Sequence, residues 1–189
     1  RRPPASPGHT LTRREALTLG GAAAVAALVG GCSRKEPEAK AAAYDGPVHY
    51  LSLTAVAELI QSGRLSPVQA TQQLLDRIGA VDPKLHSYAT LMADSALASA
   101  RRAEQEIAAG KYRGPLHGVP VAVKDLCYSR GVPTMGGLAV LRDFVPEEDA
   151  TVVARLEAAG AVLLGKLNLT EGAMAGYHPD FDIPVNPWK

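Results

Sequence analysis

Lys124 stands at the end of an unbroken apolar run, Val119-Pro120-Val121-Ala122-Val123, and is followed by Asp125. A run so rich in β-branched residues predicts a strand buried on both faces within a parallel sheet. Pro120 has no N–H to give the ladder, so it must stand near the strand's start. The lysine then sits where the strand emerges at its carboxyl end, the edge at which ligand sites of open α/β sheets gather. Burial there would penalise the ammonium and lower its pKa, leaving an amine able to take a proton. A serine needs such a base beside it to become a nucleophile, and serine–lysine pairs are a variant of the triad logic. The local residues alone leave a plainer reading open, in which Lys124 and Asp125 form a solvated pair at a strand end.

Other chemistries find less support. Gly160-Ala161-Val162-Leu163-Leu164-Gly165-Lys166 has the letters of a phosphate-binding loop as far as its lysine. Such a loop needs flexible backbone between its glycines and a Ser or Thr after the lysine. Here four apolar residues separate the glycines and Leu167 follows. The histidines, His9, His49, His86, His117 and His178, are scattered without a pair at metal-ligand spacing and read as surface or packing residues. No cofactor or metal is expected. Hydrophobic content of 47% and charged content of 21% suit a globular domain. A net charge of +1 gives no reason to expect a nucleic-acid partner.

The first thirty residues carry that faint positive balance. Arg13 and Arg14 precede an apolar stretch from about Ala16 to Gly31 that is rich in Ala and Gly. It falls short of the roughly 20 apolar residues of a membrane span. An arginine pair before a weakly apolar stretch resembles a twin-arginine export signal. The stretch ends in Leu28-Val29-Gly30-Gly31-Cys32-Ser33, similar to the lipobox in which the cysteine is lipidated. Acyl chains on Cys32 would tether a soluble domain to a membrane. Removing residues 1–31 takes away four arginines and one glutamate, leaving 16 basic and 18 acidic residues. Cys127 would then be unpaired, and no disulfide framework is expected. The expected organisation is an export signal over 1–32, a polar linker over 33–50 and a domain over 51–189, exported to the periplasm or cell envelope. Arg1 at the start and Asn186-Pro187-Trp188-Lys189 at the end both read as cuts.

Helices must come before the strand that carries Lys124. Leu53, Val56, Leu59 and Ile60 have helical spacing, with Ser52 as N-cap and Gly63 as stop. Ser66-Pro67-Val68-Gln69 is a capping box with proline at the first helical position. The helix it opens buries Leu74, Leu75, Ile78 and Val81 and is expected to end at Asp82-Pro83. A third, Ala-rich helix is expected over about Asp94–Ala109, closing at Gly110. After the lysine, Asp149 or a neighbouring acidic residue should open a helix through Ala159, and Ala161–Leu164 should form a second buried strand. Strand, helix, strand is a parallel crossover, which places the fold in the α/β class. No internal repeat is present.

Gly118-Val119-Pro120-Val121-Ala122-Val123-Lys124-Asp125, followed by Gly131 and Thr134, is similar to the lysine block of the amidase-signature family. The segment Gly160–Glu171 resembles that family's next block, and Asn186-Pro187-Trp188 the residues before its Gly/Ser-rich signature. The resemblance spans residues 51–189. It implies the N-terminal portion of the amidase-signature fold, in which helices are followed by a βαβ unit of a mixed, largely parallel sheet. It implies an amidase acting on a small-molecule amide, with Lys124 as the catalytic lysine. In that family a serine attacks the amide carbonyl, and a second serine on a cis peptide relays protons to the lysine. Both serines are expected after Trp188, so neither falls on a residue of this chain, and the 189 residues alone are expected to be inactive and only marginally stable. One departure stands out: members commonly carry serine where this chain has Gly137, which is expected to weaken hydrogen bonding around the lysine. The alternatives are a glutamine-dependent amidotransferase subunit of the same family, against which the export signal argues, and a silent lipoprotein or binding module. Fatty, aromatic, peptide and small aliphatic amides stay open as substrates, as does the oligomeric state.

Overall fold

Ser52 Oγ accepts the N–H of Ala55 at 3.1 Å, and helix α1, Leu53–Gln61, starts from that cap. Residues 42–188 are described by the computed structural model; the expected export signal and Cys32 lie outside them. Ser66 and Gln69 exchange reciprocal side-chain-to-backbone bonds, 3.0 and 3.2 Å, at the start of α2, Pro67–Leu85. A cap of this kind is worth about 1 kcal/mol. Packing begins earlier than residue 51: Val48 is buried in the α1 cluster and Tyr44 lies against it.

Helix α2 does not stop at Asp82-Pro83 as expected. It runs on to Leu85, and His86 closes it in the left-handed region at φ +53°. Asp82 acts as a clasp, its carboxylate accepting the N–H groups of Ser87 at 2.7 Å and Tyr88 at 3.3 Å. The clasp turns the chain directly into β1, Tyr88–Leu91, a four-residue strand that the sequence reading does not anticipate. Helix α3, Ala93–Ala108, then buries Ala96, Ala100 and Ala103, whose small side chains allow close approach to the sheet.

The sheet has the order β1–β3–β2. Strand β2, Pro120–Lys124, pairs parallel to β3, Val162–Leu167, and β1 pairs antiparallel to β3. The fold is α/β with a small mixed sheet. Burial on both faces, expected of β2, belongs to β3, where Val162 to Lys166 are all buried. Only Val123 is buried in β2, because that strand has one neighbour, and Pro120 stands at its start. Helix α4, Thr151–Ala158, lies between them in sequence. Asp149 does not cap it: Ala150 holds the N-cap position without a side-chain bond. Asp149 instead accepts from the Arg130 N–H at 2.7 Å and faces its guanidinium at 3.3 Å, tying the loop after β2 to the start of α4.

His117, expected among surface or packing histidines, is a packing residue and almost wholly buried. Its Nδ1 accepts the Arg113 N–H at 3.1 Å, so the proton of the neutral ring sits on Nε2, which lies 3.1 Å from Glu106 Oε2 without aligning for a hydrogen bond. Arg113 grips both oxygens of Glu106, at 2.6 and 2.8 Å. Gly160 lies under the ring at φ +82°, where a Cβ would collide with His117 Cδ2.

This packing has consequences for stability. Burial holds His117 below the ordinary imidazole value of 6.5, while Glu106 pulls the other way. A depressed base favours the folded state above its unfolded value, and that contribution is lost as pH falls through the folded value. Stability should therefore decline as pH drops below 6.5, and His117→Gln should flatten that decline in urea titrations. Glu106, whose carboxyl Arg113 holds low, titrates further into acid. Gly160→Ala should cost about 1–3 kcal/mol or more in a urea midpoint comparison, from backbone strain and the His117 collision together.

Candidate active site

The carboxyl end of β2 and the end of β3 meet through the pairs Val123 with Lys166 and Lys124 with Leu167. The Asp125 N–H adds one more bond, to the Leu167 carbonyl at 3.0 Å. Alternation along a strand sends Lys124 and Asp125 to opposite faces. Lys124 is exposed, with Nζ donating to the Asn168 carbonyl at 2.6 Å. Asp125 is wholly buried.

The partner of Asp125 is Lys166, whose Nζ lies 3.3 Å from Asp125 Oδ1 and donates to Thr134 Oγ1 at 2.6 Å. Both side chains of the ion pair are completely excluded from solvent. The sheet explains how a lysine of β3 reaches this place. Val121 pairs with Leu163 but Val123 pairs with Lys166, so β3 carries an extra residue between the two positions. Such a bulge re-aims the side chain that follows it. Val162 and Leu164 pack against α2 and α3, while Lys166 turns to the face of Asp125. Burial pushes its ammonium below the ordinary lysine value, with Asp125 opposing that shift.

The loop after β2 is drawn onto the same pair. Asp125 Oδ2 accepts the Met135 N–H at 3.0 Å, and the Asp125 carbonyl accepts Gly136 N–H at 3.3 Å. Thr134 Oγ1 in turn donates to the Val132 carbonyl at 3.1 Å. Gly137 has φ +72°, and a Cβ there would lie 2.6 Å from the Thr170 carbonyl oxygen and 2.8 Å from that of Leu169. A serine does not fit this backbone. The expected weakening around the lysine is offset by backbone bonds, since Gly136 also accepts the Gly172 N–H at 2.9 Å.

Two expectations about Lys124 change accordingly. Among the described residues, burial at the strand end falls on Lys166 rather than Lys124, because β2 has one neighbouring strand there. The solvated Lys124–Asp125 pair does not form, because Asp125 is buried with another partner. The amino-acid sequence places Lys166 in a failed phosphate loop and in the block Gly160–Glu171 that resembles the family's, but assigns it no role. Its signal is a lone charge inside the apolar strand Val162–Leu167.

A cavity of about 230 Å³ opens beside the strand ends, with Tyr88, Asp125, Met135, Asn168 and Phe181 on its walls. Asn168 thus links the cavity to Lys124, whose amine its carbonyl holds. A larger hollow, about 410 Å³, lies away from this lysine against Glu106, Arg113 and His117. The smaller cavity is the better candidate because it adjoins the amine. Among the described residues no serine hydroxyl is hydrogen-bonded to Lys124, no three His, Cys, Asp or Glu side chains gather in a metal-binding group, and Cys127 is a free thiol.

Comparison with known proteins agrees with this geometry. The family model described as Amidase matches residues 69–189. A Mycobacterium tuberculosis protein called AmiD, whose name assigns it to the amidases, is 56% identical over 138 residues, covering 73% of this chain and 29% of that protein. A glutamyl-tRNA(Gln) amidotransferase subunit of Chloroflexus aurantiacus is 41% identical over 143 residues, covering 75% of this chain and 29% of the relative. The native peptide amidase of Stenotrophomonas maltophilia superposes with a TM-score of 0.62 at 38% identity, over 66% of this chain and 26% of that one. The chain therefore spans under a third of the length of the curated relatives it matches. With a family model covering most of its residues and close relatives across the lysine-bearing segment, the chain belongs to the amidase family.

Proposed function

We propose that the protein to which these residues belong hydrolyses carbon–nitrogen amide bonds, with Lys124 as its proton-accepting base. The observation that carries this reading is the pairing of Asp125 with Lys166. A carboxylate beside an amine favours the ammonium. With Asp125 turned to the other face, the contact recorded for Lys124 Nζ is a neutral carbonyl. Among the described residues the Lys124 amine stands at the strand end without a carboxylate partner.

In the proposed reaction a serine hydroxyl attacks the amide carbonyl as its proton passes, through a second serine, to the Lys124 amine. The tetrahedral adduct expels the leaving amine, which takes the proton back from the lysine through the same relay. Water then attacks the resulting ester and gives one proton to the lysine along that path; the second adduct collapses, the lysine returns that proton to the departing seryl oxygen, and the acid and the free serine are released. The serines are assigned to no residue of this chain, and the backbone donors that would stabilise the oxyanion are likewise placed outside it. A second reading, an amidotransferase subunit, is favoured by the 41% identity to the Chloroflexus protein. The arginine pair and Cys32 favour an exported, lipid-anchored hydrolase instead. Among the described residues no helix is long and apolar enough to cross a membrane.

In the full-length protein, Lys124→Met should lower kcat on simple amides by about 10²–10⁴-fold, the usual contribution of a positioned base. The 189-residue chain alone should show no turnover. Amide hydrolysis that survives Lys124→Met would overturn the assignment. For the envelope location, Cys32→Ala should move the expressed protein from the membrane to the soluble fraction after cell fractionation. An unchanged distribution would contradict the lipid anchor.

A further inference from the structure

We propose that Lys166 is a positioning residue for this site: its buried ammonium neutralises the Asp125 carboxylate next to Lys124 and clamps the 134–137 loop onto the strand ends. The inference rests on Lys124 being the base. It assigns to Lys166 a role in the reaction rather than in folding alone.

Three features of the geometry carry it. First, the carboxylate closest in sequence to Lys124 is the next residue, and a buried carboxylate without a partner is a strong attractor for any ammonium in reach. Lys166 removes that possibility by facing Asp125 Oδ1 at 3.3 Å, an ion-pair contact without hydrogen-bond alignment, while the Met135 N–H donates to Oδ2. Second, Lys166 reaches this face only because of the extra residue in β3, an irregularity that a purely structural apolar strand would not need. Third, the same ammonium donates to Thr134 and so joins the loop to the end of β3, one residue before Leu167 and two before Asn168, whose carbonyl holds Lys124 Nζ. Moving Lys166 therefore disturbs the acceptor of Lys124 as well as the neighbouring carboxylate.

Other titratable groups around the pair are few. Cys127 follows from the loop after β2 and acts weakly on Lys166. Tyr88 of β1 lines the adjoining cavity together with Asp180 and Asp182 of the turn before the C-terminal residues. His86 faces Asp182 at 3.5 Å. None of these forms an ion pair with Asp125, so Lys166 dominates its charge balance.

The test compares pH profiles of kcat/KM for the full-length protein and four variants on a simple amide. The acid limb of the profile reports protonation of the base in the free enzyme. Lys166→Met leaves Asp125 unpaired beside Lys124 and should move that limb upward by about 1 pH unit. Asp125→Asn leaves an unpaired ammonium instead and should move the limb downward. The double variant Lys166→Met/Asp125→Asn should return the limb to its wild-type position, whatever it does to thermal stability. If Lys166→Met does not fold, the opposite shift of Asp125→Asn and the return in the double variant still decide the matter. Limbs that stay put while melting temperatures fall would reduce the pair to a structural role and overturn the proposal. Wild-type turnover by Lys124→Met would instead overturn the reading of Lys124 as the base, and this proposal with it.

Discussion

The buried ion pair between Lys166 and Asp125 is the constraint around which the strand ends are arranged. Two charges withdrawn from water are tolerated only when each finds its counter-charge and further hydrogen bonds. Asp125 finds them in Lys166 and the Met135 N–H, and Lys166 in Asp125 and Thr134. Removing one member of such a pair typically costs about 3–5 kcal/mol. That cost ties a loop of glycines to an edge strand and a bulged central strand that already share apolar packing through Val123 and Leu163. The exposed Lys124 is placed by this arrangement without being part of it.

The helical layer does a different job, holding the sheet on which the pair is built. Val162 and Leu164 on one face of β3 pack against Leu75 of α2 and Ala96 and Ala100 of α3. Leu163 and Val123 on the other face pack against Val153 of α4. With both faces of β3 covered, a bulge cannot relax outward, and its consequence is expressed in where Lys166 points. His117, Glu106 and Arg113 lock the connection between α3 and β2 to the end of α4, where Arg113 also reaches the Glu157 and Ala158 carbonyls. The register that brings Lys124 level with Leu167 is thus supported from both sides.

Much of this is legible in the amino-acid sequence where the signal is local. Ser52, and Ser66 with Gln69, begin their helices as their side chains dictate, and Pro120 and the β-branched residues after it form the strand that delivers Lys124. Asp82 and Asp149 mislead for one reason. Each is a plausible helix boundary by local rules, but each carboxylate is taken up by backbone N–H groups of another segment, Ser87 and Tyr88 or Arg130. Strand β1 escapes because four residues between two helices leave too short a pattern, and its pairing with β3 is a long-range event. Lys166 escapes because its partner lies 41 positions earlier in the chain. Strand alternation alone would place it beside Val162 and Leu164, and only the bulge turns it to Asp125.

The central claim is that the Asp125 carboxylate belongs to Lys166 and not to Lys124. Its most direct test is the NMR of lysine side-chain nitrogens in the full-length protein, recorded before and after Asp125→Asn. The account predicts that the Lys166 resonance moves strongly, from a slowly exchanging paired ammonium to an unpaired one, while the Lys124 resonance shifts only modestly. A large shift at Lys124 with Lys166 unmoved would contradict it.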